Sequence, residues 1–270
     1  MGREVPADVP HTVSLWFGGE LQPVDEAPAG ALLAADSWLV DGGRVRGYAA
    51  HWERFGGWCD ELGVATGELA GFRDAVTAAL PRTGRWFPRV DLIGSAGGRA
   101  EATHLVLRVR PAPALMRTAR VLVAEPGDLR CYPRRKGPDL PLLLALRAQA
   151  VAAGADELVL RDARGRLLEG ALNSLLWWED DTLCSTPDER TLPSVTRALL
   201  FEIARLRGVA VRRRLPLPEE LDGREAWLAN AAHGICAIDA WEPDGPVPGS
   251  PDRAAGWRAM LESTAANLDG

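Results

Sequence analysis

The stretch Ala153-Gly154-Ala155-Asp156-Glu157-Leu158-Val159-Leu160-Arg161-Asp162, followed by Leu167-Leu168-Glu169-Gly170, decides the fold class of this chain. Gly154 stops a helical run that begins at Pro141, because glycine accepts the left-handed conformation that ends a helix. Glu157–Arg161 reads as a strand, Asp162–Arg166 as a turn, and Leu167-Leu168 as the return strand. Downstream, Ser174–Trp178 and Thr182–Cys184 repeat the hairpin pattern across Glu179-Asp180-Asp181. A strong helix follows over Val195–Leu206, capped by Ser194 and closed by Gly208. Strands at Val209–Arg212 and Ala226–Ala229, a short helical turn at Pro218–Leu221 and a terminal helix over Ala254–Leu268 complete this half. Upstream, Ala119–Ala124 is its first strand.

The other half reads similarly. Thr12–Phe17 alternates and meets Gly18-Gly19. Ser37–Val40 and Arg44–Arg46 flank Asp41-Gly42-Gly43 as a hairpin. Ala49–Leu62 and Leu69–Leu80 carry apolar residues at helical spacing, and Arg89–Ile93 pairs with His104–Val109 around Gly94–Arg99. Helices and strands mix without strict βαβ alternation, which predicts an α+β class in two lobes. Arg110-Pro111-Ala112-Pro113-Ala114 is the strongest linker signal. The expected organisation is a smaller N-terminal domain over 1–110, a linker over 111–117 and a larger C-terminal domain over 118–270.

The chain has 270 residues and a formal charge of −6. Its densest basic run, Arg212-Arg213-Arg214, follows a strand and reads as a solvated strand end, so no nucleic-acid partner is expected. No apolar stretch reaches the ~18 residues that span a bilayer, and the N-terminus lacks an apolar signal core; the expectation is a cytoplasmic protein with no membrane partner. Cys59, Cys131, Cys184 and Cys236 form neither a CxxC nor a Cys/His cluster, so they read as buried or half-buried free residues and no metal is expected. No GxGxxG or P-loop pattern is present.

Of the 31 basic residues, Lys136 is the only lysine. A GC-rich genome explains the missing lysines. It does not explain the one that remains, and arginine cannot replace a lysine in imine chemistry because it is effectively never deprotonated. Three further features stand in the same half. Glu169 follows a hairpin strand, Ser194-Val195-Thr196-Arg197 opens a helix, and Asn230-Ala231-Ala232-His233-Gly234 follows a strand. A helix N-terminus offers free N–H groups to an anion. A lysine, a buried-edge carboxylate and a phosphate cup are the parts that hold pyridoxal 5′-phosphate. Each residue also has a plain reading: Glu169 as a solvated hairpin residue, Ser194 and Thr196 as helix-start residues, Asn230 as a turn residue.

In order and spacing these segments resemble the class IV aminotransferases, the fold-type IV pyridoxal phosphate enzymes, from about Val13 to Ile238. Gly154–Gly170 resembles the family's approach to its cofactor glutamate. Leu192-Pro193-Ser194-Val195-Thr196-Arg197 resembles its phosphate turn, and His51-Trp52-Glu53-Arg54-Phe55 the helix that sends an arginine to the phosphate. The resemblance implies Lys136 as Schiff-base lysine and Glu169 as partner of the pyridine nitrogen. It implies Arg54, Ser194, Val195, Thr196, Asn230 and Ala231 at the phosphate, with Ser37 and His233 on the substrate side. It also implies a two-lobed fold-type IV architecture whose larger domain binds the cofactor, a small amino substrate and a homodimer. Three activities remain open: transamination of an amino-acid-like substrate, 4-amino-4-deoxychorismate lyase chemistry releasing pyruvate, and a homologue that binds cofactor without turnover. The chain departs from the family at Ala29–Ser37, which lacks the usual aromatic-Gly-Asp-Gly landmark, and after Lys136, where no tyrosine follows.

Overall fold

The computed structural model describes residues 11–94 and 103–268, and divides the chain into two compact units. The first comprises 1–114 with 266–270, the second 115–265. Part of the expected Gly94–Arg99 connection lies outside the described residues.

The first unit runs β1 (Thr12–Phe17), β2 (Glu20–Val24), β3 (Leu32–Ser37), β4 (Val40–Asp41), β5 (Arg44–Arg46), α1 (Tyr48–Glu61), α2 (Thr66–Ala79), β6 (Arg85–Trp86), β7 (Arg89–Gly94) and β8 (Thr103–Val109). Its main sheet is antiparallel in the order β2-β1-β8-β7-β3. Side chains alternate across a strand, so Val90, Leu92, Leu105 and Leu107 enter one core with Trp52, Phe55 and Phe72 of the two helices. Ile93 and Val106 point to the opposite face, with Val13. The β4–β5 hairpin forms as expected. Its first strand, however, is Val40–Asp41 rather than Ser37–Val40, and Ser37 instead ends an unexpected strand, Leu32–Ser37; the run Leu-Leu-Ala-Ala-Asp lacks the alternation that would have marked that strand, and its pairing with β7 fixes it.

The second unit runs β9 (Thr118–Pro126), α3 (Leu140–Ala152), β10 (Glu157–Arg161), β11 (Leu167–Gly170), β12 (Ser174–Glu179), β13 (Thr182–Ser185), α4 (Val195–Leu206), β14 (Ala210–Arg213), β15 (Ala226–Asn230), β16 (Gly234–Glu242) and α5 (Ala254–Ser263). Eight strands form one mixed sheet ordered β11-β10-β9-β16-β15-β12-β13-β14. Both faces are covered: Leu175, Trp177 and Leu228 join one core, while Leu176, Trp178 and Trp227 join another with Leu200 of α4 and Trp257 of α5. That explains the continuous apolar run Leu175–Trp178, since a strand buried on both sides loses polar alternation. The expected single terminal helix is instead α5 ending at Ser263, then β17 (Ala265–Asn267). The turn after Leu261, Glu262–Ala265, brings no large apolar residue to the buried face of α5. Leu268 donates its N–H to the Gly43 carbonyl at 3.0 Å and buries its side chain in the first unit's core, so the last residues belong there.

Cys59, Cys184 and Cys236 are buried free thiols, but Cys131 is exposed, because it lies in a loop rather than in an element. Arg212 and Arg214 on and after exposed β14 pair with Glu179 at 3.0 and 2.7 Å, as a solvated strand end allows. No helix among the described residues is long and apolar enough to cross a membrane.

Candidate active site

Lys136 sits, half-buried, in the loop between β9 and α3. Two tight turns flank it: the Arg135 N–H donates to Tyr132 O and the Leu140 N–H to Gly137 O, both at 2.9 Å. Gly137 has φ 132°, a backbone state that favours glycine. The Asp139 carboxylate accepts the N–H groups of Cys131 at 3.1 Å and Tyr132 at 2.7 Å. It thereby fastens the loop to the start of α3.

Arg130 of the same loop ties the lysine segment to the rest of the unit. Its Nε and Nη2 hold Asp128 in a two-pronged pair, both at 2.9 Å, and Nη2 also donates to the Arg190 carbonyl at 3.1 Å. Its Nη1 donates to Glu169 Oε1. Glu169 lies on β11, buried, and Oε1 also accepts the Leu192 N–H at 3.0 Å. Oε2 has no hydrogen-bond partner among the described residues. Burial pushes the Glu169 carboxyl up to about 7 against the pull of Arg130 and the Leu192 N–H. It therefore has one oxygen fixed and one uncommitted.

The 186–194 loop leads into α4 and is clamped from below by Arg197, whose guanidinium is almost wholly buried. Its Nη1 donates to Thr191 Oγ1 at 3.0 Å, its Nη2 to the Leu192 carbonyl at 3.2 Å and to Asp188. Ser194 is the N-cap: its hydroxyl oxygen accepts the Arg197 N–H at 3.2 Å. The N–H groups of Val195 and Thr196, in the first turn, donate to no protein acceptor among the described residues, and the Thr196 hydroxyl has no partner there either. Free first-turn N–H groups at the positive end of a helix suit an anion. Glu169, the Lys136 loop and the start of α4 are thus joined through Arg130 and Leu192.

The other expected residues make contacts of their own within each unit. The Asn230 side chain is spent: Nδ2 donates to Asn173 Oδ1 at 2.7 Å, and Oδ1 accepts the His233 N–H at 2.8 Å. It shapes the 231–233 turn. His233 Nδ1 accepts the Met116 N–H at 3.4 Å, a structural contact. In the first unit Arg54 is held by buried Asp36, with Nε on Oδ2 and Nη2 on Oδ1, both at 2.8 Å. His51 Nδ1 and the Ser37 N–H meet the same Oδ1 at 2.8 and 2.7 Å. Burial alone would raise the Asp36 carboxyl, but Arg54 and His51 hold it well below the usual carboxylate range. Sequence reading passed over Asp36, Asp128 and Arg130. An aspartate at the end of an apolar run, and an Asp-x-Arg placed six residues before the sole lysine, were the available signals.

The fold is an α+β scaffold of two units, and the second unit joins the loop of the sole lysine, a buried carboxyl and the start of α4. The family model for amino-transferase class IV matches residues 33–241, and the chain belongs to that family. It is accordingly a pyridoxal-phosphate enzyme, an aminotransferase or a lyase. Among solved structures it is similar to a hypothetical aminotransferase from Mycobacterium tuberculosis in its PLP-bound form, with TM-score 0.78, 17% identity and coverage of 94% of this chain and 98% of that one. It is also similar to the branched-chain aminotransferase of the thermophilic archaeon Thermoproteus uzoniensis with norvaline, with TM-score 0.77, 18% identity and coverage of 95% and 99%. A putative 4-amino-4-deoxychorismate lyase from Legionella pneumophila matches with TM-score 0.73, 15% identity and coverage of 89% and 97%. No curated protein gives a significant sequence match.

Proposed function

We propose that the protein is an aminotransferase acting on an amino-acid-like substrate, with Lys136 as the covalent anchor of pyridoxal phosphate. The carrying observation is Glu169: a buried carboxyl with Oε1 fixed and Oε2 uncommitted, linked through Arg130 to the loop of the sole lysine. A protonated ring nitrogen is the partner such an oxygen lacks. The phosphate falls to the N–H groups of Val195 and Thr196 and the Thr196 hydroxyl, with the Ala231 turn beside them. Arg54, positioned by Asp36, adds positive charge in this reading.

When bound, the cofactor supplies an electron sink for the substrate's α-carbon. Glu169 keeps a positive charge on the ring nitrogen favourable. Arg130 and Leu192 hold its Oε1, so Oε2 stays aimed by two fixed contacts. Lys136 would hold the cofactor covalently, and its Nζ, as a free amine, would be the base for the substrate's α-proton and the acid that delivers a proton in return.

The lyase is the second reading. Asn230-Ala231 matches the lyase's phosphate turn better than a threonine-rich one, and Ser37, at the end of β3, would be the hydroxyl near the substrate. A homologue that binds cofactor without turnover is the remaining outcome. The working unit in this proposal is a homodimer. Leu144 and Val151 of α3, with Leu129 and Tyr132 of the lysine loop, expose apolar surface that a second copy would cover.

Borohydride reduction followed by peptide mapping is expected to place the cofactor on Lys136, and Lys136→Ala to abolish turnover. A reduced adduct that persists in Lys136→Ala would overturn the assignment. A panel of amino acids and aminodeoxychorismate, assayed together for keto acid, pyruvate and 4-aminobenzoate, separates the readings. Sedimentation at micromolar concentration tests the dimer.

A further inference from the structure

Glu157 opens β10 and is buried, on a strand otherwise apolar up to Arg161. It shares a sheet face with Val159, whereas Leu158 and Leu160 pack toward α3. Among the described residues no ion pair involves it. Its contacts are three hydrogen bonds. Oε1 accepts the Leu158 N–H at 2.9 Å, and Oε2 accepts the Leu172 N–H at 3.3 Å and Asn173 Nδ2. All three partners donate. Both oxygens are engaged and the side chain is buried, so it acts through its partners.

Asn173 carries the contact onward. Its Oδ1 accepts Asn230 Nδ2 at 2.7 Å, and Asn230 Oδ1 accepts the His233 N–H at 2.8 Å. A relay thus runs from the 231–233 turn to Glu157, with every link donating in the same direction. The two ends fix that direction, because a backbone N–H can only donate and Glu157 meets donors alone. Without the acceptor at Glu157, nothing holds the Asn173 amide in this orientation. Turned over, it sets its Nδ2 against Asn230 Nδ2. Asn230 can answer only by turning its own Nδ2 against the His233 N–H.

The relay also touches the strand of Glu169. Gly170 follows that glutamate, and a Cβ there would stand 3.1 Å from Asn173 Cβ and 3.2 Å from Glu157 Cγ, tighter than ordinary packing. The missing Cβ lets both side chains close on the end of β11. A buried polar network with every member satisfied is rigid and specifies one arrangement.

We propose that Glu157 is a positioning residue for the cofactor's phosphate, holding the backbone of the 231–233 turn in its receiving conformation through Asn173 and Asn230. The proposal rests on the reading of that turn as part of the phosphate cup. The role asks for an oxygen that accepts, and a carboxylate, a carboxylic acid and an amide all supply one.

The test measures the affinity of the full chain, stripped of cofactor, for pyridoxal phosphate and for pyridoxal, which lacks the phosphate. Quenching of tryptophan fluorescence follows both. The ratio of the two affinities isolates the phosphate's share, whereas a defect in folding or at the lysine lowers both together. Glu157→Leu removes the acceptor and is expected to lower the ratio about 10-fold or more, the scale of one hydrogen bond to a charged group. Glu157→Gln keeps an oxygen for Leu172 and Asn173 at the expense of the Leu158 N–H, and is expected to hold the ratio near wild type. Should Glu157→Leu not fold, Asn173→Ala cuts the relay one step later while Glu157 keeps its two backbone donors, and the same loss is expected. Both variants cut one relay, so their losses should not add in the double variant. An unchanged ratio, a Gln variant as weak as the Leu variant, or additive losses would overturn the proposal. Ala231→Asp checks the reading beneath it, since a negative charge on the turn should repel pyridoxal phosphate and spare pyridoxal. If Ala231→Asp lowers the ratio and the relay variants do not, the role of Glu157 fails alone. If Ala231→Asp leaves the ratio unchanged, the phosphate lies elsewhere and both fall.

Discussion

Both units bury a carboxylate beside an arginine, and the two carboxylates behave in opposite ways. Asp36 has both oxygens occupied, by two arms of Arg54, by His51 and by the Ser37 N–H, and it is held well below the ordinary range. Glu169 has one oxygen occupied and is pushed up to about 7. Arg130 divides its guanidinium between Glu169 and the two prongs of Asp128, whereas Arg54 turns two prongs on Asp36. The lesson is that an adjacent arginine does not by itself decide a buried carboxylate's charge; the count of satisfied lone pairs does. A saturated carboxylate is architecture. A half-satisfied one is poised for a further cation, and here it stands in the unit that carries the sole lysine.

The largest effect should come from breaking the saturated pair. Asp36→Asn leaves Arg54 without its counter-charge in a buried setting, and it is expected to cost ~3–5 kcal/mol of stability, read from denaturant unfolding. A cost below ~1 kcal/mol would show that Asp36 and Arg54 are not the lock described. Glu169→Gln should do the reverse, sparing the fold and losing turnover by ~10²-fold or more, with cofactor still bound. Wild-type turnover in this variant would place Glu169 with Asp36 as architecture.

The pH dependence separates the two carboxylates next. Asp36 has a lowered folded value, so its contribution is complete above its ordinary unfolded value and is lost only as pH falls through the folded one. Glu169 has a raised value, so the cofactor-free protein loses stability as pH rises from 4.5 toward about 7. At ~1.4 kcal/mol per pH unit that window spans ~3 kcal/mol at most. The melting temperature of cofactor-free Glu169→Gln should therefore gain on wild type across the window and hold its lead above it. Parallel curves would contradict the raised value. Smallest is Ser194→Ala, which removes the cap of α4 and should cost ~1 kcal/mol. It should leave cofactor affinity within a few-fold, because the Val195 and Thr196 N–H groups stay in place. A collapse of affinity would make the Ser194 hydroxyl itself a ligand.

Much of this was legible in the residues. Helical spacing located α1, α2 and α4, and Ser194 and Gly208 marked the ends of α4, because caps and apolar periodicity are local properties. The retained lysine pointed to Lys136 because no other side chain offers that chemistry. The sequence alone also singled out Glu169 and the Ser194–Thr196 helix start as candidates. Only the tertiary structure decided which oxygen of Glu169 is engaged, since Arg130 and Leu192 reach it from 39 and 23 positions away. It likewise decided that Asn230 spends its amide on Asn173, that Asp36 occupies Arg54, and that the chain leaves α5 to add β17 beside β5. Those outcomes depend on burial and on partners distant in the chain, and a residue's own identity specifies neither.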